Sequence, residues 1–367
     1  MVVYVSPAEL NGGILQFSTS IARETRALTD CRLFLPDVVE ESLYRDIADS
    51  VVPYTKAKTL NGNSEEIRCV AEQIISLSPD VVIFTEDSIL MQQLNKILNQ
   101  NEVRTAMVVH DVQHHPYRKM GARRILIDVL RRRMTRKTVK CVDKIILLSA
   151  NSEETFRKEY GVENTVVFRL PAHVPEAVPQ KPPEIVDEKR HFFLFFGRID
   201  KYKGIGTLCR AYSALAKDLK AKTELIIAGK GQLSEEESRL IRSECHITPI
   251  IRFITDNEMV WLFQNAVSVV MPYTEASQSG VLPIAYKFGK PVVVSDLRGL
   301  TENVIEEKTG YVFRTVEELS EILCRINSAD FSVSETAISE YYNKNFLWKN
   351  SLEVLLKLLC VRIRNVS

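Results

Sequence analysis

The sequence lacks long apolar runs, paired cysteines and an excess of either charge. Every apolar run is shorter than the roughly 18–20 residues that a membrane helix needs, and the first residues carry no positively charged leader of the signal-peptide kind. The 7 cysteines are scattered, odd in number and without a C-x-x-C pair, which is typical of a reducing compartment. The net charge of +1 argues against binding of a polyanion along the whole chain. We therefore expect a cytoplasmic protein whose thiols lie in its core.

The length of 367 residues predicts two domains, because single cores usually stop growing at about 250–300 residues. Short apolar runs alternate with longer segments of helical periodicity, which is typical of parallel sheets with crossover helices. The fold class that we expect is therefore α/β, with two doubly wound domains. The predicted strands are 2–5, 32–35, 81–84, 105–109, 144–148, 165–168, 192–196, 224–228, 250–253, 267–271 and 291–294.

Proline marks the boundary between the two series of strands. Five prolines fall within residues 171–183, where they disfavour both a helix and a central strand. The sequence therefore predicts an N-terminal Rossmann-like domain, a linker, a second Rossmann-like domain, and a final helix that packs back across the domain boundary. The predicted ranges are 1–172, 173–190, 191–345 and 346–367 in that order.

Two cations follow the first predicted strand of the second half. Arg198 and Lys203 lie just beyond the carboxyl end of that strand, where open parallel sheets bind their ligands. A pair of cations at this position is suited to binding a diphosphate. The alternative is that both are solvated cations on the protein surface. Gly229, after the next strand, would let the backbone approach a nucleotide. A plain turn glycine is the alternative there.

A second motif, over residues 272–283, ends a strand and then opens a helix. The amides of Gly280, Val281 and Leu282 would be unpaired in the first turn and would carry the positive end of the helix dipole. An anion would bind there. The two motifs together predict a site for the diphosphate of a nucleotide sugar.

The order of motifs over residues 193–313 resembles the donor domain of a known enzyme family. The matching segments are Gly-Arg at 197–198, Lys-Gly at 203–204, Ala-Gly-Lys-Gly at 228–231, Gln-Ser-Gly-Val-Leu-Pro at 278–283, Gly-Leu-Thr-Glu at 299–302 and Thr-Gly-Tyr-Val-Phe at 309–313. The chain is similar to the retaining group 1 glycosyltransferases of bacterial polysaccharide and lipopolysaccharide synthesis. The resemblance covers most of the chain.

The resemblance implies a GT-B fold, in which two Rossmann-like domains face each other across a cleft. It implies a nucleotide-diphosphate sugar as the donor substrate, with no separate cofactor and no metal. In this family Arg198 and Lys203 would bind the diphosphate and offset the charge that develops on the leaving group.

One departure from the family pattern concerns two glutamates, which relatives place on the donor sugar and on the ribose hydroxyls. Here those places hold Gln278 and Tyr286, and neither supplies a carboxylate. Gln278 can still bond a sugar hydroxyl but is a poor nucleophile, which favours a same-face reaction over double displacement. Glu302 is the other candidate for the ribose. The alternative is that the protein has lost its catalytic activity through these two changes.

Two further motifs in the first half are expected to serve the acceptor. His110 ends a predicted strand, and the resemblance places it in the cleft against the transferred sugar; a structural, hydrogen-bonded histidine is the alternative. Gly12 and Gly13 follow the first strand, and the resemblance makes them a loop that admits the acceptor and the donor phosphate. The loop lacks the full G-x-G-x-x-G fingerprint, so we expect no hydride-transfer cofactor.

The segment from Arg118 to Lys140 is strongly basic, with ten cations and one acid, Asp128, beside apolar residues. This pattern predicts a basic amphipathic helix, which can lie on an anionic membrane surface. Such a surface would suit an acceptor held on a lipid diphosphate. A solvated or phosphate-facing helix is the alternative, and nucleic acid is not an expected partner because no aromatic residues are interleaved.

We therefore expect a retaining, metal-independent glycosyltransferase of the cytoplasm or of the inner face of the cytoplasmic membrane. Its acceptor would be a saccharide or a lipid-diphosphate-linked sugar in cell-surface polysaccharide synthesis. Two alternatives stay open. One is a GT-B sugar-nucleotide epimerase or hydrolase with the same diphosphate site, and the other is a catalytically silent binding subunit.

Overall fold

The computed structural model describes residues 1–9, 13–55, 65–110, 112, 132–133, 135–186, 191–327 and 333–364. The chain divides into two compact units, and each contains one parallel sheet flanked by helices. The first unit is Met1–His173 together with Trp348–Ser367, and the second is Val174–Leu347. The predicted α/β class is confirmed.

The sheet of the first unit has seven strands over the described residues, all parallel. In chain order they are β1 Val2–Val5, β2 Cys31–Pro36, β3 Val51–Tyr54, β4 Val81–Phe84, β5 Thr105–Val109, β6 Lys144–Leu147 and β7 Thr165–Val167. The order in the sheet is β3-β2-β1-β4-β5-β6-β7. The strand order therefore reverses between β1 and β4, where open α/β sheets form their ligand crevice.

The first unit's helices cover both faces of this sheet. They are α1 Gly13–Arg26, α2 Glu65–Ser76, α3 Ile89–Gln100 and α4 Ala150–Tyr160, with 3-10 turns at Glu41–Leu43 and Arg45–Ser50. Alternate residues of β1 enter different cores, with Tyr4 on one face and Val3 on the other. Strands buried on both faces explain the continuous apolar runs in the sequence.

The sheet of the second unit has six parallel strands over the described residues. They are β8 His191–Phe196, β9 Thr223–Ala228, β10 Ile247–Ile250, β11 Ala266–Met271, β12 Val292–Ser295 and β13 Gly310–Phe313. The order in the sheet is β10-β9-β8-β11-β12-β13. The reversal point lies between β8 and β11, which places the two predicted donor motifs on either side of it.

Eight helices of the second unit lie within the described residues. They are α5 Ile205–Ser213, α6 Lys217–Lys220, α7 Glu235–Ser243, α8 Asp256–Asn265, α9 Val281–Lys287, α10 Arg298–Thr301, α11 Val316–Ile326 and α12 Glu335–Asn345. The helix α8 begins at a capping box, in which the Thr255 side chain accepts from the Glu258 amide and the Glu258 carboxylate accepts from the Thr255 amide.

The last helix, α13 Trp348–Leu358, packs on the first unit. Its Leu352 and Leu355 lie in the same core as β1 and α1. The Trp348 indole N–H donates to the carbonyl of Ala172 at 3.0 Å. Among the described residues, none of the helices combines the length and the apolar character that a bilayer span requires.

Three edge strands depart from the sequence prediction. The strands β3 and β13 were not predicted, and the prediction of a strand at 250–253 is wrong because β10 is Ile247–Ile250. Each is four residues long, and β3 and β10 contain Pro53 and Pro249. Proline is tolerated at a sheet edge, where an N–H is not needed, but it hides the strand pattern.

The thiols also differ from expectation, since only Cys31 and Cys209 are buried.

Candidate functional site

The loops that follow β8 and β11 meet at the reversal point of the second sheet. The amide of Thr274 donates to the carbonyl of Tyr202 at 2.8 Å, and its hydroxyl donates to the same oxygen at 3.2 Å. Gly204 has φ +67°, and a side chain there would overlap the carbonyl of Pro272. The two donor motifs, about seventy residues apart in sequence, are therefore held against each other by backbone contacts.

The two predicted cations lie on the loop that follows β8, Arg198 before a short turn and Lys203 within it. Residues Lys201–Lys203 form a 3-10 turn, which the Asp200 carboxylate caps by accepting from the Lys201 amide at 2.7 Å. The exposed Arg198 donates from Nη2 to the Tyr202 hydroxyl at 3.2 Å. The Lys203 Nζ lies 4.9 Å from the centroid of the same ring. Both cations therefore contact Tyr202.

The half-buried Lys203 also lies over a second aromatic ring. Its Nζ is 3.5 Å from the centroid of Tyr273, which is only 2% exposed. Burial lowers the pKa of Lys203 to about 8, and the positive charge of Arg198 adds to this effect, while Tyr202 and Asp200 oppose it. At pH 7 the ammonium is charged but poorly hydrated, and such a cation attracts an anion more strongly than one in bulk water.

The start of α9 lies beside these rings. Gly280 precedes the helix, and the Val281 amide donates to the Ser279 hydroxyl at 3.3 Å, so a side chain uses one of the three predicted free amides. Leu282 is buried. The Gln278 Oε1 atom is buried and has no hydrogen-bond partner within the part of the chain that the structure describes. The capacity of this oxygen to accept a hydrogen bond is therefore unused among the described residues.

The glycine predicted to approach a nucleotide has a role within the protein itself. Gly229 has φ +153°, and a side chain there would overlap the carbonyl of Gly197. The Gly197 amide donates to the carbonyl of Ala228 at 3.0 Å, and the Ile199 amide donates to that of Lys230 at 2.9 Å. Glycine here lets the β9 loop run beside the β8 loop. Its approach to a nucleotide stays a prediction.

The structure requires a correction at one of the two predicted ribose residues. Tyr286 is fully buried, and its hydroxyl lies 2.9 Å from both the Asn303 carbonyl and the Thr309 hydroxyl. Burial raises the pKa of this phenol, which therefore stays neutral. The hydroxyl is committed to the core, and this placement argues against a ribose contact.

Glu302, the other ribose candidate, is half-buried at the end of α10. The helix lies close to the β11 loop, because a side chain on Gly299 would overlap the carbonyls of Ala276 and Ser277. The Glu302 carboxylate therefore lies at the end of a helix, α10, that packs against the loop after β11. Glu302 therefore remains the candidate for the ribose.

His110 lies near the reversal point of the first sheet, where it contacts the residue that follows β4. The His110 Nε2 lies 2.9 Å from the Thr85 carbonyl, and because a carbonyl only accepts, this nitrogen carries the hydrogen. The Ser18 hydroxyl, on α1, lies 2.9 Å from the Thr85 hydroxyl. His110 therefore shares a hydrogen-bonded cluster with α1, which begins at Gly13. Gly12 lies outside the described residues.

The basic segment lies mostly outside the described residues, which include only 132–133 and 135–140 of it. Arg132 pairs with Glu159 at 3.1 Å, and the Thr135 hydroxyl donates to Asp87 at 2.9 Å. Val139 is buried in the core of the first unit. The amphipathic helix over the whole segment stays a prediction. In the described ranges no cluster of three or more metal-binding side chains is present.

Sequence reasoning missed the aromatic residues of the site. Tyr202 and Tyr273 lie inside the two donor motifs and contact both the cations and each other, with ring centroids 6.4 Å apart. The signal that could have found them was an aromatic residue within each motif, next to Lys203 and to Pro272. The pairing itself depends on a contact across seventy residues, which no local pattern shows.

Comparison with known proteins finds a family similarity within the second unit. Residues 190–328 match the family model described as glycosyl transferases group 1. An uncharacterized glycosyltransferase of Methanocaldococcus jannaschii is 27% identical over 168 residues, which span 43% of this chain and 42% of that protein. The chain thus matches about two fifths of the length of that relative.

Solved structures of similar fold cover nearly the whole chain. Anabaena HepE in complex with UDP and glucose superposes with a TM-score of 0.73 and 14% identity, covering 98% of this chain and 99% of that one. A UDP-forming α,α-trehalose-phosphate synthase from Burkholderia xenovorans, in complex with glucose-6-phosphate, has a TM-score of 0.67 and 12% identity, covering 98% and 100%. The fold is the two-domain α/β GT-B fold. The similarity to the group 1 glycosyl transferases covers residues 190–328, which is less than half of the chain.

Proposed function

We propose that this protein transfers a sugar from a nucleotide-diphosphate sugar to an acceptor, with retention of configuration and without a metal. One observation carries the proposal: Arg198 and Lys203 lie on the loop that follows β8, both against Tyr202, at the reversal point of the second sheet and beside the start of α9. Negative charge develops on the departing diphosphate, and cations fixed in a partly dehydrated site stabilise it. The UDP complex of HepE, which has the same fold, supports a nucleotide sugar as the donor.

The remaining roles follow from the placement of each group. The Gln278 Oε1, which has no partner among the described residues, would accept from a hydroxyl of the transferred sugar. The amides of Gly280 and Leu282 would add to the positive end of α9, and Glu302 would bind the ribose. The family resemblance assigns His110 to the transferred sugar.

The proposed reaction takes place on one face of the sugar. The bond between the anomeric carbon and the diphosphate oxygen breaks, and the acceptor oxygen bonds to that carbon from the same side. The acceptor proton passes to the departing diphosphate oxygen, so the products are a glycoside and a nucleoside diphosphate. Gln278 at the place of the family's glutamate favours this route, since an amide is a poor nucleophile for double displacement.

The proposed acceptor is a saccharide or a lipid-diphosphate-linked sugar in cell-surface polysaccharide synthesis, at the inner face of the cytoplasmic membrane. The ten cations between Arg118 and Lys140 support this choice. Alanine at positions 131–133 should reduce transfer to a lipid-linked acceptor in vesicles with anionic lipid, and should leave transfer to a soluble acceptor unchanged. Equal transfer in anionic vesicles before and after the change would contradict the membrane role.

The test of the donor site is nucleoside diphosphate binding by calorimetry, with UDP as the first probe and ADP and GDP as the next. We expect Arg198→Ala to weaken binding by about tenfold, because a charge-assisted hydrogen bond is lost. Arg325→Ala is the matched control, since Arg325 is also an exposed arginine of the second unit with a carboxylate partner, Glu307, but belongs to neither donor motif. Failure of the unmodified protein to bind any of these probes would overturn the proposal.

Measurements of turnover distinguish a transferase from an epimerase, a hydrolase or a silent binding subunit. With a panel of nucleotide sugars, a transferase forms a glycoside whose anomeric configuration, measured by NMR, matches that of the donor. An epimerase or hydrolase changes the donor with no acceptor present. Equal and negligible rates for the unmodified protein and Arg198→Ala, together with normal UDP binding, would indicate a silent binding subunit.

A further inference from the structure

Tyr273 contacts both the Lys201–Lys203 turn and the segment that leads into α9. The face of its ring lies under the Lys203 ammonium, with Nζ 3.5 Å from the centroid. Its hydroxyl lies 3.4 Å from the Ser279 hydroxyl, which in turn accepts the Val281 amide at 3.3 Å. One side chain therefore contacts both parts of the proposed diphosphate site.

The ring of Tyr273 is itself held in place. The Ser295 hydroxyl, at the end of β12, donates to the Tyr273 carbonyl at 2.6 Å. The side chain is 2% exposed, so it has no room to rotate into solvent. The main chain at Tyr273 is thus held by β12, and the ring hydroxyl lies beside the loop that precedes α9.

Lys203 depends on these aromatic faces rather than on a carboxylate. Among the ion pairs of the described residues, Lys203 forms none, whereas Arg198 has Asp200 at 3.8 Å. A ring face attracts a cation through its quadrupole but leaves the positive charge unneutralised. An anionic ligand can then bind Lys203 without first displacing a carboxylate. Tyr202 on the other side, with its centroid 4.9 Å from Nζ, limits the lateral movement of the ammonium.

We propose that Tyr273 is a positioning residue for Lys203, whose ammonium it holds, fixed and unneutralised, beside the first turn of α9. This inference rests on the proposed function, since it assigns Lys203 to the diphosphate. The depressed pKa of Lys203 agrees with an ammonium that lies on an aromatic face in little water. The substitution that removes the face is Tyr273→Leu, and the one that keeps the face but removes the hydroxyl is Tyr273→Phe.

The experiment measures UDP binding by calorimetry between pH 7 and 9.5 for the full chain and three variants. We expect Tyr273→Leu to weaken binding at pH 7 by about tenfold and to move the midpoint of its pH dependence, while Tyr273→Phe stays within about threefold of the unmodified protein. Tyr311→Leu is the matched control, because Tyr311 is equally buried, at 2%, and lies under another cation, Arg325, 5.2 Å from its centroid. We expect it to bind UDP normally.

Equal binding and equal pH dependence in Tyr273→Leu and the unmodified protein would overturn the inference. So would losses of the same size in Tyr273→Phe, Tyr273→Leu and Tyr311→Leu, since these would reflect general damage to the sheet. If the unmodified protein binds no nucleoside diphosphate, the proposed function fails first.

A measurement on the unmodified protein covers the case in which Tyr273→Leu does not fold. In protein labelled with ¹³C-lysine, the ε-methylene protons of Lys203, assigned with Lys203→Arg, should be shifted upfield by the ring current of Tyr273. An unshifted resonance would overturn the inference without any change at Tyr273, whether or not UDP binds.

Discussion

At the scale of single residues, the charge of Lys203 is the property on which donor binding depends. Its pKa of about 8 lies below the ordinary value of 10.5, because burial disfavours the ammonium. The folded, ligand-free protein therefore loses this proton as the pH rises through about 8. A bound diphosphate favours the ammonium, so binding takes up a proton above that pH.

The first prediction is that UDP affinity falls as the pH rises above about 8, by up to about tenfold per pH unit. Calorimetry from pH 7 to 9.5 measures this dependence. In Lys203→Arg the decline should be absent, because a guanidinium keeps its proton throughout this range. A decline of the same size in Lys203→Arg would assign the titration to another group.

Arg252 is a second residue whose charge has a predicted consequence. Its guanidinium bonds both oxygens of Glu258, at 2.7 and 2.8 Å, and both oxygens of Glu184, at 2.7 and 2.8 Å. Glu184 belongs to the predicted linker, residues 173–190, which this contact fastens to the rest of the second unit. Hydrogen bonds from Arg252 and from the Thr255 amide lower the pKa of Glu258 to about 2. Burial has the opposite effect on this pKa but is the weaker influence.

The second prediction concerns stability in acid. Since the folded pKa of Glu258 is about 2 and its ordinary value is 4.5, its contribution is complete above about pH 4.5 and is lost as the pH falls toward 2. Glu258→Gln should lower the unfolding free energy at pH 7 by about 1–3 kcal/mol. This is less than the pKa shift alone implies, because the Arg252 guanidinium is partly exposed to solvent, which screens the ion pair. Urea unfolding at pH 7 and pH 3 measures both values. A constant difference between the two proteins at both pH values would contradict the prediction.

At the scale of elements, the close approach of the β8 and β11 loops brings the cations to α9. Gly204 allows this approach in two ways, because its φ of +67° suits glycine and because only a hydrogen fits beside the Pro272 carbonyl. The loops could not meet in this way with a larger residue at that position.

The third prediction compares two glycines of the same backbone conformation. Gly204→Ala should lower the unfolding free energy by about 3 kcal/mol or more and weaken UDP binding, because the backbone must shift to relieve the overlap. Gly161→Ala is the matched control, with φ +66° and no atom within 4 Å of the added carbon. It should lower the unfolding free energy by only about 1–2 kcal/mol. Equal losses in the two variants would show that the Pro272 contact is unimportant.

At the scale of the whole molecule, the last helix of the chain completes the first unit. The buried face of α13 contributes Leu352, Leu355 and Leu356 to the core that contains β1. The opposite face is exposed at Val354 and Leu358. The first unit is therefore built from both ends of the chain, and its stability depends on residues more than 300 positions apart.

The fourth prediction follows from this arrangement. Leu355 is 1% exposed. Leu355→Ala should therefore lower the unfolding free energy of the first unit by about 2–5 kcal/mol. Leu358→Ala, at a position 50% exposed on the same helix, should change it by less than about 0.5 kcal/mol. Hydrogen exchange by mass spectrometry reports each unit separately. Faster exchange in β8 and β9 than in β1 and β4 after Leu355→Ala would contradict the assignment of α13.

The extent to which the site could be predicted differs between its residues. Arg198, Lys203 and the start of α9 could be predicted as site candidates because each lies in a segment that follows a buried strand, where a parallel sheet places its binding residues. Tyr286 was misplaced because spacing along a helix does not say which way a side chain points once other elements pack on it. Its neighbours Asn303 and Thr309 come from later segments of the chain.

The sequence alone determined the α/β class, the interior strands and the place of the cations, because these follow from local periodicity and from the residues next to each strand. Only the tertiary structure decided that Lys203 lies on the face of Tyr273 and which residues of α13 enter the core of the first unit. The edge strands β3 and β13 also became visible only through their neighbours in the sheet. The reason is the same in each case: these features depend on contacts between distant segments, and such contacts are set by packing of the folded chain rather than by local pattern.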